Sequence, residues 1–170
     1  MTNGEKRGIL SNFKGEDMEK ENKYYIIRVD LEGTPAWRKF IIPVGTTFRE
    51  LQEILLIAFD WDGYHLSGFD MGRRYEREYL EDEELDDLIV DEYFEKYKKI
   101  RFIYDYGNNW EHTIKTYTPR YSDEKVLIPI CTEAKYIAPE EDSGFFAEIP
   151  KVEEVDINEI NKKIKNLYKK

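Results

Sequence analysis

The chain reads as an α+β fold, and three stretches make it so. Residues 25–31 alternate apolar and polar side chains as a half-buried strand does. Residues 47–59 open on a helix-capping box and continue at helical spacing. Residues 100–117 form the clearest strand pair, closed by a Gly-Asn-Asn turn. The predicted architecture is a mixed, mostly antiparallel sheet with a helix packed on one face. It opens in a β-grasp-like order (β-β-α-β-β-β) and ends in a C-terminal helix.

The elements follow in order. Residues 1–22 are polar with scattered hydrophobes and read as a flexible N-terminal arm, with a helical turn near Asp17 to Glu21. Tyr25, Ile27, Val29 and Leu31 mark one face of the first strand. Gly33-Thr34-Pro35 turns the chain into a second strand, Trp37 to Pro43. Thr47 and Glu50 have the capping-box spacing, and Phe48, Leu51, Leu55, Ala58 and Phe59 line the helix behind them. Tyr64 to Met71 reads as a short strand with a bulge at Gly68. Leu85, Leu88 and Ile89 mark one or two helical turns in the acidic stretch. After the hairpin, residues 118–150 hold four of the six prolines and read as irregular, with an edge strand at Val126 to Ile130. Asp156 caps a terminal helix whose stripe is Ile157, Ile160, Ile164 and Leu167. The domain is therefore expected over residues 23–150, with an amphipathic helix over 151–170.

Charge is segregated. Of the formal net charge of −10, the stretch from Glu76 to Glu92 carries −9, ten acids against Arg77 alone. The rest is near neutral, which disfavours nucleic-acid binding by the whole surface but leaves room for a local basic patch. Aromatics make up 15% of the chain, so buried Tyr and Trp must thread hydrogen bonds through the core. Cys131 is the lone cysteine and rules out a disulfide framework. With no signal-peptide pattern in residues 1–23 and no run near the roughly 18 apolar residues of a membrane span, a cytoplasmic protein is expected.

The segment Arg101 to Ile114 holds the candidate chemistry. A three-residue loop at Gly107 to Asn109 pairs Tyr106 with Trp110 and Tyr104 with His112. That register gathers Ile100, Phe102, Tyr104, Tyr106, Trp110, His112 and Ile114 on one face and sets Asp105 against Glu111. A two-residue loop pairs Asp105 with His112 instead. Because a one-residue slip inverts the faces, the aromatic-rich face favours the first register. Opposed carboxylates suit acid–base work or a hard cation, and an Asp–His pair orients an imidazole. A solvated polar pair and a packed histidine explain the same residues without chemistry. Trp37, Trp61 and Trp110 read as core packing.

These stretches resemble one family, the plasmid pRiA4b open-reading-frame-3-like proteins. Pro35-Ala36-Trp37-Arg38 with Ile42-Pro43-Val44 resembles its opening hairpin, and Thr47 to Trp61 its helix and following Trp. His65-Leu66 with Phe69 resembles its HLHEF-type strand. Tyr104 to His112 resembles its YDFGDNWEH signature, and Ala138 to Gly144 its CPPEDCG box. The resemblance runs from about Tyr25 to Phe145 and implies no established activity, although some members carry a transposon-resolvase label. Gln52 and Ser67 stand where many members have histidine, Asn108 replaces the signature Asp, and Ala138 and Ser143 replace cysteines. Cys131, His65 and His112 supply at most three zinc ligands against the four of a closed structural site, so neither metal nor cofactor is expected.

Three functions are in play. The reading adopted is a non-catalytic binding or accessory module associated with mobile elements, with the acidic segment 76–92 as a surface for a protein partner. A metal-dependent hydrolase or nuclease would use Asp105, Glu111 and His112 in one shared cleft. His65, Trp110 and Asp142 are the candidate binding residues beside them. A nucleic-acid-binding protein would use Lys96, Lys98, Lys99 and Arg101, or the lysines of the terminal helix.

Overall fold

The computed structural model describes residues 22–144 and 147–169. The expected N-terminal arm, apart from Asn22, lies outside them. Strands β1 (Lys23–Leu31) and β2 (Trp37–Pro43) form the opening hairpin, and helix α1 (Phe48–Ala58) follows. Then come β3 (Ser67–Met71), β4 (Glu78–Leu80), helix α2 (Val90–Lys96), β5 (Lys99–Tyr104) and β6 (Trp110–Thr116). The two-residue β7 (Arg120–Tyr121), β8 (Ile130–Lys135) and helix α3 (Ile157–Leu167) complete the fold. The strands form one sheet in the order β4-β3-β5-β6-β1-β2-β8, with β7 beside the start of β1. Every pairing between these strands is antiparallel.

One face of the sheet is buried and the other is open. Tyr25, Ile27, Val29 and Leu31 are at most 1% exposed and meet Phe40, Ile42, Ile100, Phe102 and Ile114 in the core. Helix α1 closes over them with Phe48, Leu51, Ile54 and Leu55, all fully buried. Each such side chain stabilises the fold by about 1.5–3 kcal/mol before entropy is counted. The predicted capping box holds α1 at its start: Thr47 accepts from the Glu50 amide at 3.1 Å and Glu50 accepts from the Thr47 amide at 2.7 Å. Asp156 likewise caps α3 through the Glu159 amide, and Ile160 and Ile164 join the core.

Four local expectations change. The edge strand sits at β8 rather than at 126–130. Only Cys131 of β8 is buried, so it carries no alternation to read. Gly68 is not a bulge, because its pairing with Ile103 keeps register. A Cβ there would meet the Tyr79 hydroxyl and lie 2.8 Å from the Leu80 carbonyl, so glycine is what lets β4 approach. The acidic stretch folds into β4, a 3-10 turn at Asp82–Glu84 and the first turn of α2. The hairpin loop is five residues long, since Tyr104 pairs with Trp110 and Phe102 with His112. A two-residue shift preserves faces, so Phe102, Tyr104, Trp110 and His112 stay together while Tyr106 leaves for the loop.

Candidate functional site

Three loops meet at one end of the sheet, and the end of α1 starts them. The last helical carbonyls are all taken: Leu55 by the Phe59 amide, Leu56 by Trp61, Ile57 by Asp60, and Ala58 by the Arg38 guanidinium. Asp60, at φ 59°, turns the chain out of the helix and drops Trp61 into the core. There Trp61 stacks on Tyr104, with centroids 5.4 Å apart, and touches Trp110 and His112.

Asp105 builds the second loop. It sits at φ 59°, and its Oδ1 accepts from the Gly107 amide at 3.0 Å. Its Oδ2 accepts from Asn108 Nδ2 at 2.7 Å, and its own amide donates to the Leu66 carbonyl. These donors hold its carboxyl below the ordinary carboxylate range against the opposing effect of burial. Asp105 is thus a turn-forming residue, which explains why it does not sit opposite Glu111.

Residues 138–144 form the third loop. Trp61 Nε1 donates to the Pro139 carbonyl and Trp110 Nε1 to the Glu141 carbonyl, each at 2.9 Å. The buried Glu141 carboxylate accepts from Tyr104 at 2.5 Å and from the Asp62 amide at 2.7 Å. Burial, then the Glu141 bond, push the Tyr104 hydroxyl up to about 12. The hydrogen bonds demanded by buried aromatics are these. His65, half-buried between the loops, lies 2.9 Å from Asp142 Oδ1 and 3.7 Å from Asp105 Oδ2. The Asp142 bond raises its pKa.

His65, Trp110, Asp105 and Asp142 therefore gather at one corner, while Glu111 and His112 do not join them. As strand neighbours these two point to opposite faces. Glu111 lies on the open face, 3.5 Å from Arg101. His112 is fully buried among Phe59, Trp61 and Phe102, with Nδ1 3.1 Å from the Phe102 carbonyl. Burial holds its pKa near 4. The shared cleft that a hydrolase built on Asp105, Glu111 and His112 requires is not formed. Among the described residues no group of three or more His, Cys, Asp or Glu is placed to hold a metal ion.

The acidic segment is occupied by its own fold. Arg49 binds Asp82 and Asp86, Tyr93 and Tyr97 donate to Glu78, and Asp91 accepts from the Gly45 amide. Glu76, Glu83, Asp87 and Glu92 remain exposed.

The open face has a feature that no single strand reveals. Lys99 pairs with Lys115, Lys115 with Arg28, and Arg28 with Lys39, so four cations line up across β5, β6, β1 and β2. Arg28 is held by Asp30 and lies over the Trp37 ring at 4.2 Å; Lys39 is 3.8 Å from Glu133. Lys99 and Lys115 have no acidic partner among the described residues. Beyond Lys99 the row runs into a groove of about 640 Å³ lined by Arg73, Lys96, Lys98 and Arg101, with Glu76 and Glu111 among them. Arg101 is tied to the buried Asp70 with Arg77. Lys98, Lys99 and Arg101 were legible as a cluster in the sequence; Arg28, Lys39 and Lys115 join only through strand register.

Among the described residues no helix is long and apolar enough to cross a membrane. No curated protein matches the chain. Among solved structures it is similar to a protein of unknown function, MM3350 from Methanosarcina mazei Go1. The two share 28% identity over 72% of this chain and 74% of that one, with a TM-score of 0.63. A family model described as plasmid pRiA4b ORF-3-like protein matches residues 23–166, which is most of the chain, and the chain belongs to that family.

Proposed function

We propose that this protein is a non-catalytic, cytoplasmic accessory module of mobile elements that binds single-stranded nucleic acid across the open face of its sheet. The observation that carries the reading is the row Lys99–Lys115–Arg28–Lys39. Strands lie about 4.8 Å apart, so the row spans about 14 Å. Like charges directly opposite one another destabilise a sheet. Arg28 and Lys39 are already met by Asp30 and Glu133, so the uncompensated junction is Lys99–Lys115, a local cost that a bound polyanion offsets. The groove with Arg73, Lys96 and Lys98 extends the track, and Trp37, Tyr117 and Tyr106 offer partly exposed rings for bases. The family's description names a plasmid reading frame, which supports a role beside mobile DNA. The split of Asp105, Glu111 and His112 supports binding over hydrolysis. The unit that binds is residues 23–150, and the acids left free on segment 76–92 are a secondary surface for a basic protein.

Anisotropy titrations with single- and double-stranded oligonucleotides across a salt series test this. The expected result is tighter single-strand binding that weakens with salt by about 0.7 log per log salt for each phosphate contact. K98E/K99E should abolish it. Binding absent at low salt, or indifferent to that double change, rejects the reading.

A further inference from the structure

Arg38 stands where strand alternation calls for an apolar residue. It shares the core face of β2 with Phe40 and Ile42 and is 2% exposed, with its guanidinium 4.7 Å from the Phe59 ring centroid. Nε donates to the Ala58 carbonyl at 2.8 Å, and Nη1 lies within 3.0 Å of the carbonyls of Trp37, Lys135 and Tyr136. All of these acceptors are neutral. No carboxylate among the described residues pairs with this buried cation, and burial lowers its pKa to about 10. A buried charge without a counter-ion is costly. Closing the end of α1 explains Nε, and tying down 135–136 explains Nη1. Neither explains Nη2, which has no partner among the described residues. Among the described residues the fully sealed side-chain atoms without a partner are His112 Nε2 and Tyr168 Oη, and Nη2 of Arg38 is not one of them.

Arg38 lines a pocket of about 330 Å³ walled by Ile57, Phe59, Ile137, Val155 and Ile160. Its mouth carries Asp60, paired with Lys163 at 3.4 Å, together with Glu154, Asp156 and Glu159. Asp156 is spent on capping α3. The pocket is therefore cationic at depth, apolar along its walls and acidic at its rim. We propose that it binds a small monocarboxylate with an apolar body, the carboxylate meeting Nη2 of Arg38 as the counter-ion that the fold omits. The rim repels dianions and favours a ligand whose far end is neutral or cationic. A deep charge counts for more than exposed ones because water screens the rim.

The test needs no change to Arg38, whose loss threatens the fold. The full chain is titrated by ¹H–¹⁵N NMR with hexanoate, hexanamide and 6-aminohexanoate. The amides of Ala58, Phe59, Ala138 and Ile160 should shift saturably with hexanoate. Hexanamide should bind at least about tenfold more weakly, the least that a charge-assisted hydrogen bond is worth. 6-Aminohexanoate should bind more tightly than hexanoate, and Glu159→Gln, on the exposed side of α3, should narrow that preference. No saturable shift at these amides up to about 50 mM, near the weak limit for so small a ligand, overturns the proposal. So does equal binding of acid and amide.

Discussion

Tyr104 and Glu141 are joined hydroxyl to carboxylate, and the bond ties β5 to the 138–144 loop. The same carboxylate accepts from the Asp62 amide, so one buried group fastens three loops. Tyr104→Phe removes the strongest donor and leaves a buried charge half satisfied. It should destabilise by about 1–3 kcal/mol. Glu141→Gln keeps an acceptor for Asp62 and a partner for Tyr104 and should cost less. Urea midpoints for the two variants, with hydrogen exchange at the Asp62 amide, measure the difference.

The two histidines should oppose each other in pH dependence. Asp142 raises the His65 pKa, so that contribution is fully present below about pH 6.5 and fades as pH rises through the folded value. His112 is the reverse: folded, it resists protonation until about pH 4. The unfolded chain takes that proton near pH 6.5, so stability falls between the two values by on the order of 3 kcal/mol. His112 should dominate, giving net acid destabilisation. Imidazole NMR titrations should show His65 titrating above its ordinary value, falling back in Asp142→Asn, and His112 silent above pH 5.

What was legible in the sequence was local or periodic. The Thr47–Glu50 box needs only three residues of spacing, and the shared face of Phe102, Tyr104, Trp110 and His112 survives any even slip of register. The loop length was not legible. It depends on Asp105 adopting φ 59° and on its amide reaching Leu66, a contact from another part of the chain. The His65–Asp142 pair spans 77 residues and the cationic row crosses four strands, so neither has a local signal. Arg38 did have one: a charge among Phe40 and Ile42 on an alternating strand marks a buried cation. The substituted positions Gln52 and Ser67 prove to touch, with Gln52 donating to Ser67 at 2.5 Å.

Asn108 makes a prediction about the signature itself. Its Nδ2 donates to Asp105 Oδ2 at 2.7 Å, so Asn108→Asp replaces a donor with a second carboxylate at the same place. The pair repels, and one carboxyl's pKa rises in the folded state. Stability at pH 7 should drop by about 1–2 kcal/mol and recover as pH falls through the raised value, because the folded form then holds the extra proton. Urea melts of the variant at pH 7 and pH 4, referenced to wild type at each pH, should show the gap closing with acid.

Lys115 separates stability from binding. It sits between Lys99 and Arg28, so Lys115→Glu converts two like-charge junctions into attractive ones. Each is worth roughly 0.2–1 kcal/mol on a sheet. The variant should therefore be more stable than wild type in the absence of ligand, and more so at low salt, where screening is weakest. The same change removes a phosphate contact and adds a repulsive charge, so single-strand affinity and its salt slope should both fall. Thermal melts and anisotropy titrations on one preparation measure the two together. Gain in one and loss in the other is what a sheet face built for an anion yields; a variant that is destabilised, or that binds as wild type does, shows the row to be without that role.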